Sequence, residues 1–181
     1  MRETPSSFVP VEASARQLFD RAIDHCRHRT GTTREATLER LRVGDVEQHA
    51  TLRYALAKEL GRYLGGLGVS FLAIYVYGSA MTESSSPCSD IDVIVVVDRH
   101  RDEVDRLLRG LDLALVAYFR ELSPRSSAMS SLLDVHVVEQ DPSDGAPPGG
   151  PFTRPICLWR LSDALSREGS RPVSSASIGA P

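Results

Sequence analysis

The sequence predicts an α/β (α+β) fold, a small mixed β-sheet packed against helices with a helical extension on its N-terminal side. Three observations predict it. Short apolar runs rich in β-branched and aromatic residues, 71–77, 90–97 and 132–139, read as strands. Longer stretches before and between them repeat apolar residues at helical spacing. The chain of 181 residues, 41% hydrophobic and 25% charged, is long enough to bury one real core.

Residues 1–10 hold two prolines and two serines and read as a flexible arm. Residues 11–68 form the N-terminal helical region. From Val11 to about Arg29, Leu18, Phe19, Ile23 and Cys26 mark one apolar side. Thr30-Gly31-Thr32 breaks that helix, and Thr32 or Thr33 caps a short second one with Ala36, Leu38 and Leu41 on its apolar side. Asp45 is a good N-cap for a long third helix carrying Val46, Leu52, Leu56, Leu60 and Leu64. Gly65-Gly66-Leu67-Gly68 ends it.

Residues 69–140 form the core unit. Phe71–Tyr77 reads as a buried strand, followed by a tight Gly78-Ser79 turn that opens a short helix, then a polar run. Asp90 and Asp92 begin the second strand. After a turn at Asp98-Arg99-His100, a helix from about Arg101 to Leu122 carries Val104, Leu108, Leu111, Leu115 and Phe119 as its core stripe. The third strand, Leu132–Glu139, puts Asp134 and His136 on one face and Leu133, Val135 and Val137 on the other. Residues 141–168 read as a Pro/Gly/Asp-rich linker and then a short helix from Cys157 to about Arg167. Residues 169–181, rich in Ser, Pro, Gly and Ala, read as a disordered tail.

The net charge of -3 argues against broad electrostatic capture of nucleic acid. Cys26, Cys88 and Cys157 make no CxxC pair and no zinc pattern with the five histidines, so a reduced, cytoplasmic location is expected. No apolar run reaches membrane-spanning length and the N-terminus has no signal-peptide core, so no membrane partner is expected.

Side chains at i and i+2 of a strand share a face, so Asp90 and Asp92 would stand side by side, and two such carboxylates repel unless a cation sits between them. Asp134 is a carboxylate in an apolar strand, costly unless paired or metal-bound. If its strand lies beside that of Asp92, three carboxylates converge, and hard oxygen ligands select Mg²⁺ or Mn²⁺ over zinc. A Gly-Ser turn at a helix start offers backbone N–H groups to an anion, so Gly78 and Ser79 are candidates for holding phosphates. His136, Cys88 and the Ser84-Ser85-Ser86 run are read as structural or solvated.

Gly78-Ser79, a spacer of about ten residues, Ser89-Asp90-Ile91-Asp92 before an apolar run, and Asp134 on a later strand together resemble the DNA polymerase beta-like nucleotidyltransferase superfamily, its minimal members especially. The resemblance covers roughly residues 71–139. It implies that Asp90 and Asp92 bind metal ions, that Asp134 binds the catalytic ion and positions or deprotonates the acceptor hydroxyl, and that Gly78 and Ser79 bind the triphosphate. It implies transfer of a nucleoside monophosphate from a nucleoside triphosphate such as ATP to an acceptor, with release of pyrophosphate. The acceptor classes it brings are proteins, small molecules and RNA ends, and a small helical protein is a candidate partner. Where many minimal relatives carry Arg and a second Gly after the turn, this chain has Ala80 and Glu83. The alternative is a binding module of the same fold, acting as antitoxin or nucleotide sensor.

Overall fold

The computed structural model describes residues 11–67, 71–78, 88–123, 128–141 and 155–160. The described elements run α1 (Val11–Thr30), α2 (Arg34–Arg42), α3 (Val46–Gly66), β1 (Phe71–Val76), β2 (Ile91–Val97), α4 (Arg101–Leu122), β3 (Leu133–Glu139) and β4 (Ile156–Arg160). The sheet is mixed, in the order β3-β2-β1-β4. β1 pairs antiparallel with both β2 and β4, whereas β2 and β3 are parallel and joined by α4 as their crossover.

Local chemistry sets the helix starts. Thr33, rather than Thr32, caps α2, its Oγ1 accepting from the Ala36 N–H at 3.2 Å. Asp45 caps α3 by accepting from the Gln48 N–H at 2.9 Å, and its other oxygen accepts from Arg40 Nε at 2.8 Å. The Arg40 hydrogen bond holds the Asp45 carboxyl below its usual range. One side chain thus starts α3 and ties it to the end of α2.

The sheet has two unlike faces. Ile91, Val93, Val95 and Val97 of β2 join the main core formed with the helices, each fully or almost fully buried. Burial of such a side chain is worth about 1.5–3 kcal/mol. The opposite face holds a smaller buried cluster, Ala73, Tyr75, Ile94 and Val96, with Tyr77 and Val138 packed beside it. The alternation of β2 therefore sends valines to the helices and turns Asp92 to the other side.

The Cys157–Arg167 helix is a correction: residues 156–160 form β4 on the free edge of β1, and 161–167 lie outside the described residues. A short apolar run does not by itself choose between helix and strand. The choice is made by α3, which runs on through Gly65 to Gly66 instead of ending near Leu64. A Cβ on Gly61 would stand 2.7 Å from Ile74 Cγ2, and one on Gly65 would stand 2.5 Å from Trp159 Cζ2. The two glycines, one helical turn apart, make a shallow seat for the indole of Trp159, which also stacks on Phe71 with ring centres 4.7 Å apart. The arm (1–10), most of the 141–168 linker and the tail (169–181) lie outside the described residues.

Candidate metal centre

The site is built by strand register. In the parallel β2–β3 ladder Asp92 is paired with Asp134, and Ile94 with His136. Adjacent residues of a parallel pair point to the same face, so the two carboxylates stand side by side on the face away from the helices. Asp90 lies one residue before β2 rather than within it. The Ile91 N–H donates to the Leu132 carbonyl at 2.9 Å, so the segment that carries Asp90 is fastened to the segment that leads to Asp134. One carboxylate oxygen from each of Asp90, Asp92 and Asp134 lies within 4.8 Å of the other two, close enough to hold a metal ion. Asp92 is half-buried, while Asp90 and Asp134 are exposed.

Gly78 shows how tightly the turn after β1 approaches this cluster. Its φ of 69° lies in the left-handed region, where residues with a Cβ are strained. A Cβ there would overlap Asp92 Oδ2 and stand 2.9 Å from the carboxyl carbon. The Tyr77 N–H donates to the Asp92 carbonyl at 3.1 Å, so backbone and side chain of Asp92 are both met by the end of β1. Ser79, with Ala80, Glu83 and Ser84–Ser86, lies outside the described residues.

Four further residues belong to the surroundings of the acids, and the sequence reading left them out or set them aside. Tyr77 is pushed up to about 12, first by burial and then by the negative charges of Asp92, Asp134 and Asp90, so it stays a neutral phenol beside them. Its signal was its place immediately before Gly78, on the strand parity of Tyr75. His136 places Nε2 3.8 Å from Asp134 Oδ2, with its ring centre 6.2 Å from that of Tyr77. Arg53 is fully buried on α3. Burial pulls its guanidinium down to about 10, against the opposing pull of Cys88 and Asp90. Its signal was an arginine on the buried stripe of a helix, one turn before Ala57 and one turn after His49.

Asp112 of α4 had no sequence signal, because its partners lie twenty residues away. Its Oδ1 accepts from the N–H groups of Leu132 and Leu133, each at 2.8 Å, and its Oδ2 accepts from Ser131 Oγ at 2.9 Å. Arg120, two turns further along α4, donates to the Met129 carbonyl. The crossover helix therefore grips the lead-in to β3 just before Asp134.

No helix among the described residues is long and apolar enough to cross a membrane. Comparison with protein-family models, with curated proteins and with solved structures gives no match.

Proposed function

We propose that this protein is a metal-dependent nucleotidyltransferase that moves a nucleoside monophosphate from a nucleoside triphosphate to an acceptor hydroxyl and releases pyrophosphate. The observation that carries this reading is the register pair Asp92–Asp134 with Asp90 beside it, all within 4.8 Å, adjoining a glycine turn that leaves room for nothing larger. An all-carboxylate donor set fits Mg²⁺ or Mn²⁺, held by Asp90, Asp92 and Asp134. When bound, such ions lower the barrier by stabilising charge on the attacking and leaving oxygens.

The chain's own residues divide the remaining work. Asp134, exposed at the mouth of the cluster, takes the proton of the acceptor hydroxyl. The freed oxygen bonds to the α-phosphorus as the bond to pyrophosphate breaks. Gly78 and Ser79 are the residues that receive the phosphates. Tyr77, neutral at physiological pH, offers a hydrogen-bond donor beside the acids. Arg53 sets a buried positive charge behind Asp90 and offsets part of the repulsion among the three carboxylates. The free thiols of Cys26, Cys88 and Cys157 fit a reducing, cytoplasmic compartment.

The test is incubation with labelled nucleoside triphosphates, Mg²⁺ or Mn²⁺, and protein, aminoglycoside-like and RNA acceptors. Label transfer is expected, and Asp90→Asn or Asp92→Asn reduces it by at least about 100-fold. Metal-dependent triphosphate binding with no transfer to any acceptor favours the binding-module reading, to which Ala80 and Glu83 point. Absence of both overturns the nucleotide reading altogether.

A further inference from the structure

The net charge of -3 is not spread evenly, and its sign reverses on the seam between α1 and α3. Residues four apart on a helix share a face. Arg21, His25 and Arg29 therefore form one row along α1, and Tyr54, Lys58 and Arg62 another along α3. The helices run antiparallel and set the rows side by side. Arg21 Nη1 lies 3.8 Å from Glu59 Oε2, and the ring centres of His25 and Tyr54 are 6.4 Å apart. Each row covers two helical turns, about 11 Å. Four permanent cations stand here against one acid, the buried Glu59, which Arg21 and Arg62 share. Arg29 and Lys58 form no ion pair with any described residue. Asp24, next to His25, is engaged by Arg27 and Arg34, and Glu47, two turns before Tyr54, closes the patch at that end.

The middle of the patch is aromatic. Burial first, then the positive charges of Lys58 and Arg29, hold His25 below its ordinary pKa of 6.5, with Arg62 adding to them and Glu59 opposing. At neutral pH its ring is uncharged. Two flat, half-buried rings thus lie in a frame of guanidinium and ammonium groups. Among the described residues no large exposed apolar side chain belongs to either row, so the patch has nothing to insert into a lipid surface. Its length outreaches a single phosphate group and suits a chain of anions. An acidic peptide would meet the cations and leave the rings unused. A nucleic-acid strand uses both, phosphates on the cations and a base on the rings.

We propose that the α1–α3 seam binds a single strand of nucleic acid, its phosphates on Arg21, Arg29, Lys58 and Arg62 and a base stacked at His25 and Tyr54. Guanidinium groups take phosphate oxygens two at a time. Glu59 directs Arg21 and Arg62 toward the strand and cancels only one of the two charges. The seam belongs to the helices, whereas Asp92 and Asp134 face away from them, so the binding stands whatever chemistry the acids perform.

The test is fluorescence anisotropy with labelled single-stranded RNA and DNA of about twelve nucleotides, in chelator so that the acid cluster carries no metal. Affinity of about 10 μM or tighter is expected at low salt, with a slope of log affinity on log salt of about -3 for four phosphate contacts. Arg29→Gln and Lys58→Gln break no ion pair, and each is expected to weaken binding and make that slope shallower by about 0.7. Tyr54→Leu lowers affinity about tenfold with the slope unchanged, and Tyr54→Phe keeps both. Should Tyr54→Leu fail to fold by far-ultraviolet circular dichroism, the two glutamine variants decide. No binding at low salt up to about 0.1 mM protein overturns the proposal. So does binding indifferent to both glutamine variants, equal affinity for a duplex of the same sequence, or equal displacement by poly-aspartate.

Discussion

The two ends of the sheet are built differently. At the β2–β3 end the parallel register runs unbroken from Ile91–Leu133 to Val97–Glu139. At the β1–β4 end the antiparallel register shifts between Ile74 and Tyr75, and β1 carries another shift against β2 between Phe71 and Ala73. The regular end holds Asp92 and Asp134 side by side. The irregular end accommodates a large shape, the Trp159 indole, seated on the Gly61–Gly65 face and stacked on Phe71. Where two carboxylates stand at a fixed spacing, the ladder shows no slip. Where the need is only to cover apolar surface, bulges are used to fit.

Substitutions that separate the two ends sharpen this contrast. The largest effect is expected at the acids. Asp92→Asn or Asp134→Asn abolishes metal-dependent transfer by at least about 100-fold, while thermal melting shows stability no lower than wild type, because like-charge repulsion is relieved. Next comes Gly78→Ala, which forces a Cβ onto Asp92 at a left-handed φ. Its Mn²⁺ affinity, read by electron paramagnetic resonance, is expected to fall about tenfold or more, with a strain cost of about 1–2 kcal/mol. Gly65→Ala should do the reverse. Overpacking against Trp159 costs about 1–3 kcal/mol in denaturant melts, with altered Trp159 fluorescence and unchanged Mn²⁺ affinity. Loss of Mn²⁺ binding in Gly65→Ala would show that the two ends are coupled and defeat the contrast. Asp112→Asn weakens the hold on the lead-in to β3, costs about 1 kcal/mol, and lowers Mn²⁺ affinity by a smaller factor than Gly78→Ala.

The smallest effect is a pH dependence remote from both ends. His49 is buried on α3, its Nε2 donating to the Leu41 carbonyl at 2.8 Å, and burial holds its pKa below the ordinary 6.5. The unfolded chain therefore binds the proton more readily than the folded one. The stability this contributes is present in full above 6.5 and is lost as the pH falls from there toward the depressed folded value. Urea melts between neutral and mildly acidic pH should show that slope, and His49→Gln should flatten it.

What could be read in the sequence was what depends on near neighbours. Thr33 and Asp45 announce helix starts by residue type, and α4 begins and ends where its apolar stripe does. Three aspartates on one face could be anticipated because strand parity is fixed by the chain itself, given that β3 lies beside β2. β4 was not legible, since its identity depends on the open edge of β1 and on a seat made by two glycines in a distant helix. Asp112 was hidden for the same reason, because an acid on an amphipathic helix is ordinary until its three partners are in place. Arg53 and Tyr77 carried no chemistry in the sequence, because only the fold sets them near Asp90 and Asp92.

The α4 crossover also has a kinetic meaning. Asp92 and Asp134 belong to strands separated in sequence by the whole of α4, so their pairing is a contact of long sequence separation. Contacts of such long sequence separation form slowly and late. A cation held by these carboxylates therefore binds the finished fold and not its precursors. By mass action it should raise the melting temperature with concentration and draw the folding equilibrium toward the native chain. Loading with Mn²⁺ would in that way serve as a quality mark, distinguishing chains that have closed the crossover from those that have not.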